Sequence, residues 1–134
     1  MTNVVQAYKY LIDSGVNPLN VNAVVDTLGN PRVSTSKIDA LPCLTASRIR
    51  TSGFWLSSRS REVSLREMCR AQGLNYDKLC VGPLPISKVG KMIGDAMSNN
   101  VLQRILPRAL KAAGLLHTEV PDPWADPITA IRNL

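Results

Sequence analysis

The stretch S-R-E-V-S-L-R-E-M-C-R-A-Q-G, Ser60 to Gly73, decides how this chain is read. Ser64 and Glu67 have the spacing of a capping box, in which the serine hydroxyl takes the N–H three residues on and the glutamate reaches back. Leu65, Met68, Cys69 and Gln72 fall on one helical face by the i, i+3, i+4 rule. Arg66 and Arg70, four apart, share another. Gly73 stands where a helix needs a residue tolerant of positive φ. The spacing predicts a short helix with a marked start and stop, a buried stripe and a basic stripe. Four arginines (Arg59, Arg61, Arg66, Arg70) exceed what solubility asks of so short a segment.

Outward from that helix, the 134 residues have the length of one domain, and a chain of that size buries about two thirds of its unfolded surface. Aromatic residues are few, so the core rests on Val, Leu, Ile, Met and Ala. Net charge is +6, and the arginines concentrate between Arg48 and Arg70, which favours an anionic partner over a merely soluble surface. Cys43, Cys69 and Cys80 form no Cys-x-x-Cys pair and have only His117 for company, which argues against a zinc site or a disulfide framework. Reduced thiols, no run of ~18 apolar residues and no signal-peptide pattern lead to the expectation of a soluble, intracellular protein without membrane or metal.

Before the opening helix, residues 3 to 14 read as an amphipathic helix with Val4, Val5, Tyr8, Leu11 and Ile12 on one face and Gly15 at its end. Val21 to Thr27 reads as a strand, and Leu28 to Ala40 as an exposed loop. Leu41 to Ser47 reads as a short buried strand, Arg48 to Gly53 as a basic turn and Phe54 to Leu56 as another strand. Beyond Gly73, Ser87 is a candidate N-cap for a helix whose face is Val89, Met92, Ile93, Ala96 and Met97. A break near Gly94-Asp95 precedes a second helix from about Ser98 to Ala113, kinked at Pro107. His117 to Leu134, with three prolines, reads as an extended tail.

Few residues offer catalytic chemistry. His117 has no serine or acid to complete a triad and reads as a surface or capping group. Cys43 follows a proline, but no partner base is identifiable, so it reads as a small buried hydrophobe. Cys69 reads as packing. Gly94-Asp95-Ala96 has two readings: a plain helix break capped by Asp95, or a turn that lets a ligand approach free N–H groups.

These pieces together resemble the C-terminal end of the cytosine-5 DNA methyltransferases. Arg61 to Gly73 matches the ninth motif of that family, R-x-[LV]-[ST]-x-R-E-x-x-R-x-Q-G, with Ala71 where leucine is usual. I-G-D-A-M-S-N-N-V-L-Q-R-I-L (Ile93 to Leu106) matches the tenth, G-N-A-[VM] running into an apolar helix, in the right order and at the right gap. L-P-C-L-T-A-S-R (Leu41 to Arg48) followed by G-F-W-L is similar to the end of the family's target-recognition region. The resemblance covers about residues 41 to 114, and more weakly 20 to 40.

The resemblance implies an α+β fragment: short strands of a recognition region, then helices that complete an α/β S-adenosyl-L-methionine-dependent methyltransferase fold. It divides the chain into 1–58 (N-terminal helix and partial recognition region), 59–116 (methyltransferase motifs) and 117–134 (tail). Gly94, Asp95 and Ala96 match the turn that walls the cofactor pocket, with Asp95 in place of the usual asparagine. Thr45 matches the threonine that touches DNA, and Arg48 and Arg50 are the accompanying candidates for phosphate contact. Arg61, Arg66, Glu67 and Arg70 match positions that brace the recognition region against the catalytic domain, with Arg66 and Glu67 expected as buried or semi-buried pairing groups.

The family's cofactor loop F-x-G-x-G, its catalytic Pro-Cys-Gln and its Glu-Asn-Val occur nowhere in the sequence. Pro42-Cys43 is followed by Leu44 and lies in the wrong order, so it is not the nucleophile. No catalytic residue is expected in this chain. Its expected partners are double-stranded DNA and a catalytic half or subunit carrying the missing motifs, in the nucleus for a eukaryotic source and the cytoplasm for a bacterial or phage one. The competing readings are a non-catalytic basic DNA-binding module and a degenerate remnant. A helix-turn-helix is excluded, because about fifteen residues separate the two helices, too many for that turn.

Overall fold

Ala23, Val24 and Val25 are buried in succession, which along an alternating strand means that both faces are covered. This strand, β1 (Ala23–Asp26), is central to a four-stranded antiparallel sheet ordered β2-β1-β3-β4. Its partners are β2 (Ser36–Ile38), β3 (Phe54–Leu56) and β4 (Arg61–Glu62). The register places Val24 opposite Lys37 on one side and Leu56 on the other, and Trp55 opposite Glu62. The helices are α1 (Thr2–Asp13), α2 (Ala46–Arg50), α3 (Leu65–Ala71), α4 (Ile86–Asp95), α5 (Asn99–Ala112) and α6 (Pro127–Arg132), so the protein is α+β. The computed structural model describes residues 2–30 and 36–132.

The chain divides into two compact units. One is Met1–Met68 with Val81–Asp95; the other is Cys69–Cys80 with Ala96–Leu134. Positions 58 and 59 lie between the paired strands β3 and β4 of the first unit, and residues 117 onward belong to the second.

In the first unit α1 packs on β1. It buries Asn3, Ala7 and Leu11, leaving Val5 and Ile12 exposed, so the buried face is rotated from the expected one. The reason is Asn3. Its amide donates to the carbonyls of Asp26, Thr27 and Gly29 at 2.9–3.2 Å, satisfying the chain as it leaves β1. Ser57 is fully buried for a similar reason. Its hydroxyl donates to the Val21 carbonyl at 2.7 Å and accepts from the Ala23 N–H at 3.0 Å.

Three other local expectations are overturned. The exposed loop 28–40 contains β2, whose three residues pair with β1; residues 31–35 lie outside the described ones. Leu41 to Ser47 is not a strand: the chain runs without regular structure to Thr45, then turns into α2, and Cys43 is exposed. Ser87 lies inside α4, which is begun by the Pro85 carbonyl accepting from Lys88 and Val89.

The expected break holds: α4 of the first unit ends at Asp95, and in the second unit α5 begins after Ser98 and runs through Pro107 to Ala112. The end of α3 locks to that start. Asn99 donates its backbone N–H to the Gln72 carbonyl at 2.8 Å and its side-chain amide to the Gly73 carbonyl at 2.9 Å, while the Ser98 hydroxyl donates to the Gln72 side chain. Gly73 has φ +71, and a side chain there would meet Asn100 N at 2.7 Å. The tail is not free. Trp124 is buried, and its indole N–H donates to Gln103 of α5.

Candidate functional site

The capping box at Ser64 forms as its spacing predicts. Glu67 Oε2 accepts from the Ser64 backbone N–H at 2.8 Å, and the Glu67 N–H reaches Ser64 Oγ at 3.3 Å. Arg61 adds a fork, with its two terminal nitrogens each 2.9 Å from one Glu67 oxygen. That guanidinium, together with the Ser64 donors, holds the Glu67 carboxyl down at about 2, against the partial burial that opposes ionisation. Half-buried Glu67 therefore fastens β4 to the first turn of α3. Arg66 and Arg70 are exposed, so Arg66 is not the buried group expected, and the pair seen at this corner is Arg61 with Glu67.

Gly94 is held by a different need. A side-chain carbon built on it would lie 2.4 Å from both the N and Cα of Ala46 and 2.6 Å from the carbonyl carbon of Thr45. No side chain fits there. Gly90, one turn earlier on the same face of α4, comes 3.0 Å from the Ile49 carbonyl oxygen by the same construction. Two glycines four apart let α2 lie against α4 backbone to backbone. Val89 and Ile93 complete the buried face, leaving Met92 exposed.

Gly94 thus sits in the last turn of α4 and not at a helix start, so the expected ligand-facing N–H groups of a helix N-terminus do not arise at this glycine. Asp95 is exposed and pairs with Lys91. Ala96, also exposed, opens the returning segment of the second unit.

The basic candidates separate. Thr45 precedes α2, with its hydroxyl exposed and 3.3 Å from that of Ser47. Arg48 is half-buried and committed inward, its Nε 2.9 Å from Asp26 Oδ2, which ties α2 to the end of β1. A guanidinium so engaged is a structural ion pair before it is a phosphate ligand. Arg50 is exposed, and its Cα borders Gly90. Thr45 and Arg50 therefore remain the outward-facing polar pair on α2 and its approach.

Sequence reasoning missed Gln72, Ser98, Asn99 and Trp124 as organising residues. The first three stood within quoted motifs, where their polarity gave a signal. Trp124, between prolines in P-D-P-W, gave none beyond being aromatic. Among the described residues no group of three or more His, Cys, Asp or Glu side chains could hold a metal, and no helix is long and apolar enough to cross a membrane. Compared with known proteins, the chain matches no family model, no curated protein and no solved structure.

Proposed function

We propose that this chain is the C-terminal portion or a subunit of a DNA (cytosine-5)-methyltransferase. It contributes to an S-adenosyl-L-methionine pocket and to DNA binding, and needs a part carrying the catalytic cysteine. The observation that carries the reading is the contact between Gly94 and Thr45-Ala46. Two stretches nearly fifty residues apart, each matched to a different element of the family, touch at the glycine that the match requires. The lock of Gln72-Gly73 on Ser98-Asn100 joins the ninth-motif and tenth-motif stretches in the same way.

On this reading Thr45 and Arg50 face the phosphates beside the target base, since an enzyme acting on a base must extrude it and hold the surrounding backbone. Arg61 and Glu67 keep the recognition strands on α3. Asp95 lies next to the cofactor's charged groups. Val101, Ile105, Leu106 and Leu110 of α5 are exposed and the helix has no buried residue, which fits a face covered by the missing part.

The test mixes the purified chain with a separately expressed polypeptide carrying F-x-G-x-G and Pro-Cys-Gln and follows transfer of a tritiated methyl group from S-adenosyl-L-methionine to duplex DNA. Transfer should occur in the mixture and in neither component alone. A mixture that transfers no methyl group and binds neither cofactor nor DNA overturns the proposal.

A further inference from the structure

The basic face of α5 is ion-paired with the chain's own acids, while its cations stay 46–72% exposed. Arg104, Arg108 and Lys111 stand at i, i+4 and i+7, on one side of the helix. Arg104 Nε lies 2.9 and 3.2 Å from the two oxygens of Asp122, and Arg108 is 3.9 Å from the same carboxylate. Lys111 Nζ lies 2.9 Å from Glu119. Between strap and helix is an open cavity of about 390 Å³.

The strap is anchored at its far end. Trp124 is buried, its carbonyl accepts from Arg104 and its N–H donates to Asp122. Asp122 is thus set by the backbone turn as well as by the cations. Glu119, its side chain 86% exposed, is held by Lys111 alone among these contacts.

We infer that the Arg104–Lys111 face of α5 is a nucleic-acid phosphate-binding surface kept masked by the Glu119–Asp122 strap. The carboxylates occupy the positions that phosphates would take. The three cations span about 10 Å of helix, over which one strand of a duplex places about three phosphates. The whole arrangement lies within the second unit, so it is independent of Thr45 and Arg50 and of the methyltransferase reading. A polyanion that neutralises all three cations displaces two separate carboxylates. At moderate salt the strap therefore keeps these cations from phosphate, and the unaltered chain binds through its other basic residues.

The test measures binding of the full chain to a fluorescein-labelled duplex by anisotropy over about 50 to 200 mM salt. Glu119→Gln/Asp122→Asn should bind more tightly than the unaltered chain, with a log–log salt slope steeper by about two to three. Asparagine keeps an acceptor for the Trp124 N–H. Glu119→Gln alone, at a side chain too exposed to govern folding, should steepen the slope by about one. Asp13→Asn/Glu62→Gln makes the same change in net charge in the first unit and should not reproduce the effect. Adding Arg104→Gln, Arg108→Gln and Lys111→Gln to the unmasked chain should remove the gain. An unmasked chain that binds like the unaltered one, a gain matched by the distant neutralisation, or a gain that survives loss of the three cations overturns the inference.

Discussion

Replacing Gly94 by alanine tests the central packing contact directly. The new methyl carbon would sit 2.4 Å from Ala46 N and Cα and 2.6 Å from the Thr45 carbonyl carbon. Carbon atoms rest at about 3.5–4.0 Å, so α2 must retreat from α4 by about 1 Å or more. Every obstructing atom is backbone, which no rotamer change can move aside. Overpacking of this kind costs about 1–3 kcal/mol and at times more. Alanine's better helix propensity returns about 1 kcal/mol. With an overlap this severe the cost lies at the top of that range, so the expected net loss is about 2 kcal/mol, a melting midpoint lower by about 8 °C, read by circular dichroism. Gly90→Ala is the control. Its obstructions are backbone atoms 3.0–3.2 Å away, which need to yield by only a few tenths of an ångström, so with the propensity gain its loss should be well below that of Gly94→Ala. Ala46→Gly should not rescue Gly94→Ala, because the overlap is with backbone rather than with the Ala46 methyl. A Gly94→Ala protein that melts with or above the unaltered chain, or one restored by Ala46→Gly, would refute the reasoning.

The Glu67 carboxyl is held at about 2 against an ordinary 4.5, so it contributes stability above pH 4.5 that is lost as pH falls from there towards 2. At full expression that shift is worth about 3 kcal/mol, but with 35% of the side chain exposed, solvent screening leaves about 1 kcal/mol; Glu67→Gln should flatten the acid limb of the stability profile in that window. Ser57→Ala strands the Val21 carbonyl and the Ala23 N–H in a fully buried position and should cost about 1–3 kcal/mol in urea denaturation. Cys43 and Cys80 are exposed and should react at once with an aromatic disulfide reagent, whereas Cys69, buried and with its thiol pushed up by that burial, should react only on unfolding.

What was legible in the sequence was what short-range chemistry dictates. The start of α3 follows from Ser64 and Glu67, three residues apart, and its end from Gly73. The strand at Ala23–Asp26 follows from its valines, and the break before α5 from Gly94-Asp95. What failed was decided at long range. Leu41 to Ser47 carries strand-forming residues, yet α2 forms there because Gly90 and Gly94 offer it a surface forty residues away. β2 has little strand character of its own and exists because β1 has an unpaired edge to offer. The apolar stripe of α1 was too wide to choose its inner face, and a buried asparagine decided it by supplying an amide to three carbonyls. The prolines of the tail predict extended backbone, but Trp124 and the Asp122 carboxylate fold it onto α5. Of the candidate site, Thr45 and Arg50 are exposed, Arg48 is taken by Asp26, and of the four brace residues Arg61 and Glu67 pair with each other while Arg66 lies exposed rather than buried.

The sequence marks Gly94 as a place where a ligand could approach the backbone, and the structure gives that approach to α2 instead. A glycine whose missing side chain is replaced by Ala46 cannot offer the same face to a cofactor. On the proposed function Gly94 would serve the binding site indirectly, by bringing Thr45 against the end of α4, and direct contact would pass to its neighbour Asp95, which is exposed and held by Lys91 within one turn. The two roles separate experimentally. Asp95→Asn removes a surface charge from the last turn of α4 and should leave the melting midpoint within about 0.5 kcal/mol of the unaltered chain. In the reconstituted mixture, the same change should alter S-adenosyl-L-methionine affinity. Gly94→Ala should do the reverse, lowering the midpoint first and affecting binding only through it. An Asp95→Asn mixture with unchanged cofactor affinity would remove Asp95 from the pocket and leave the α2–α4 contact as the whole meaning of the glycine.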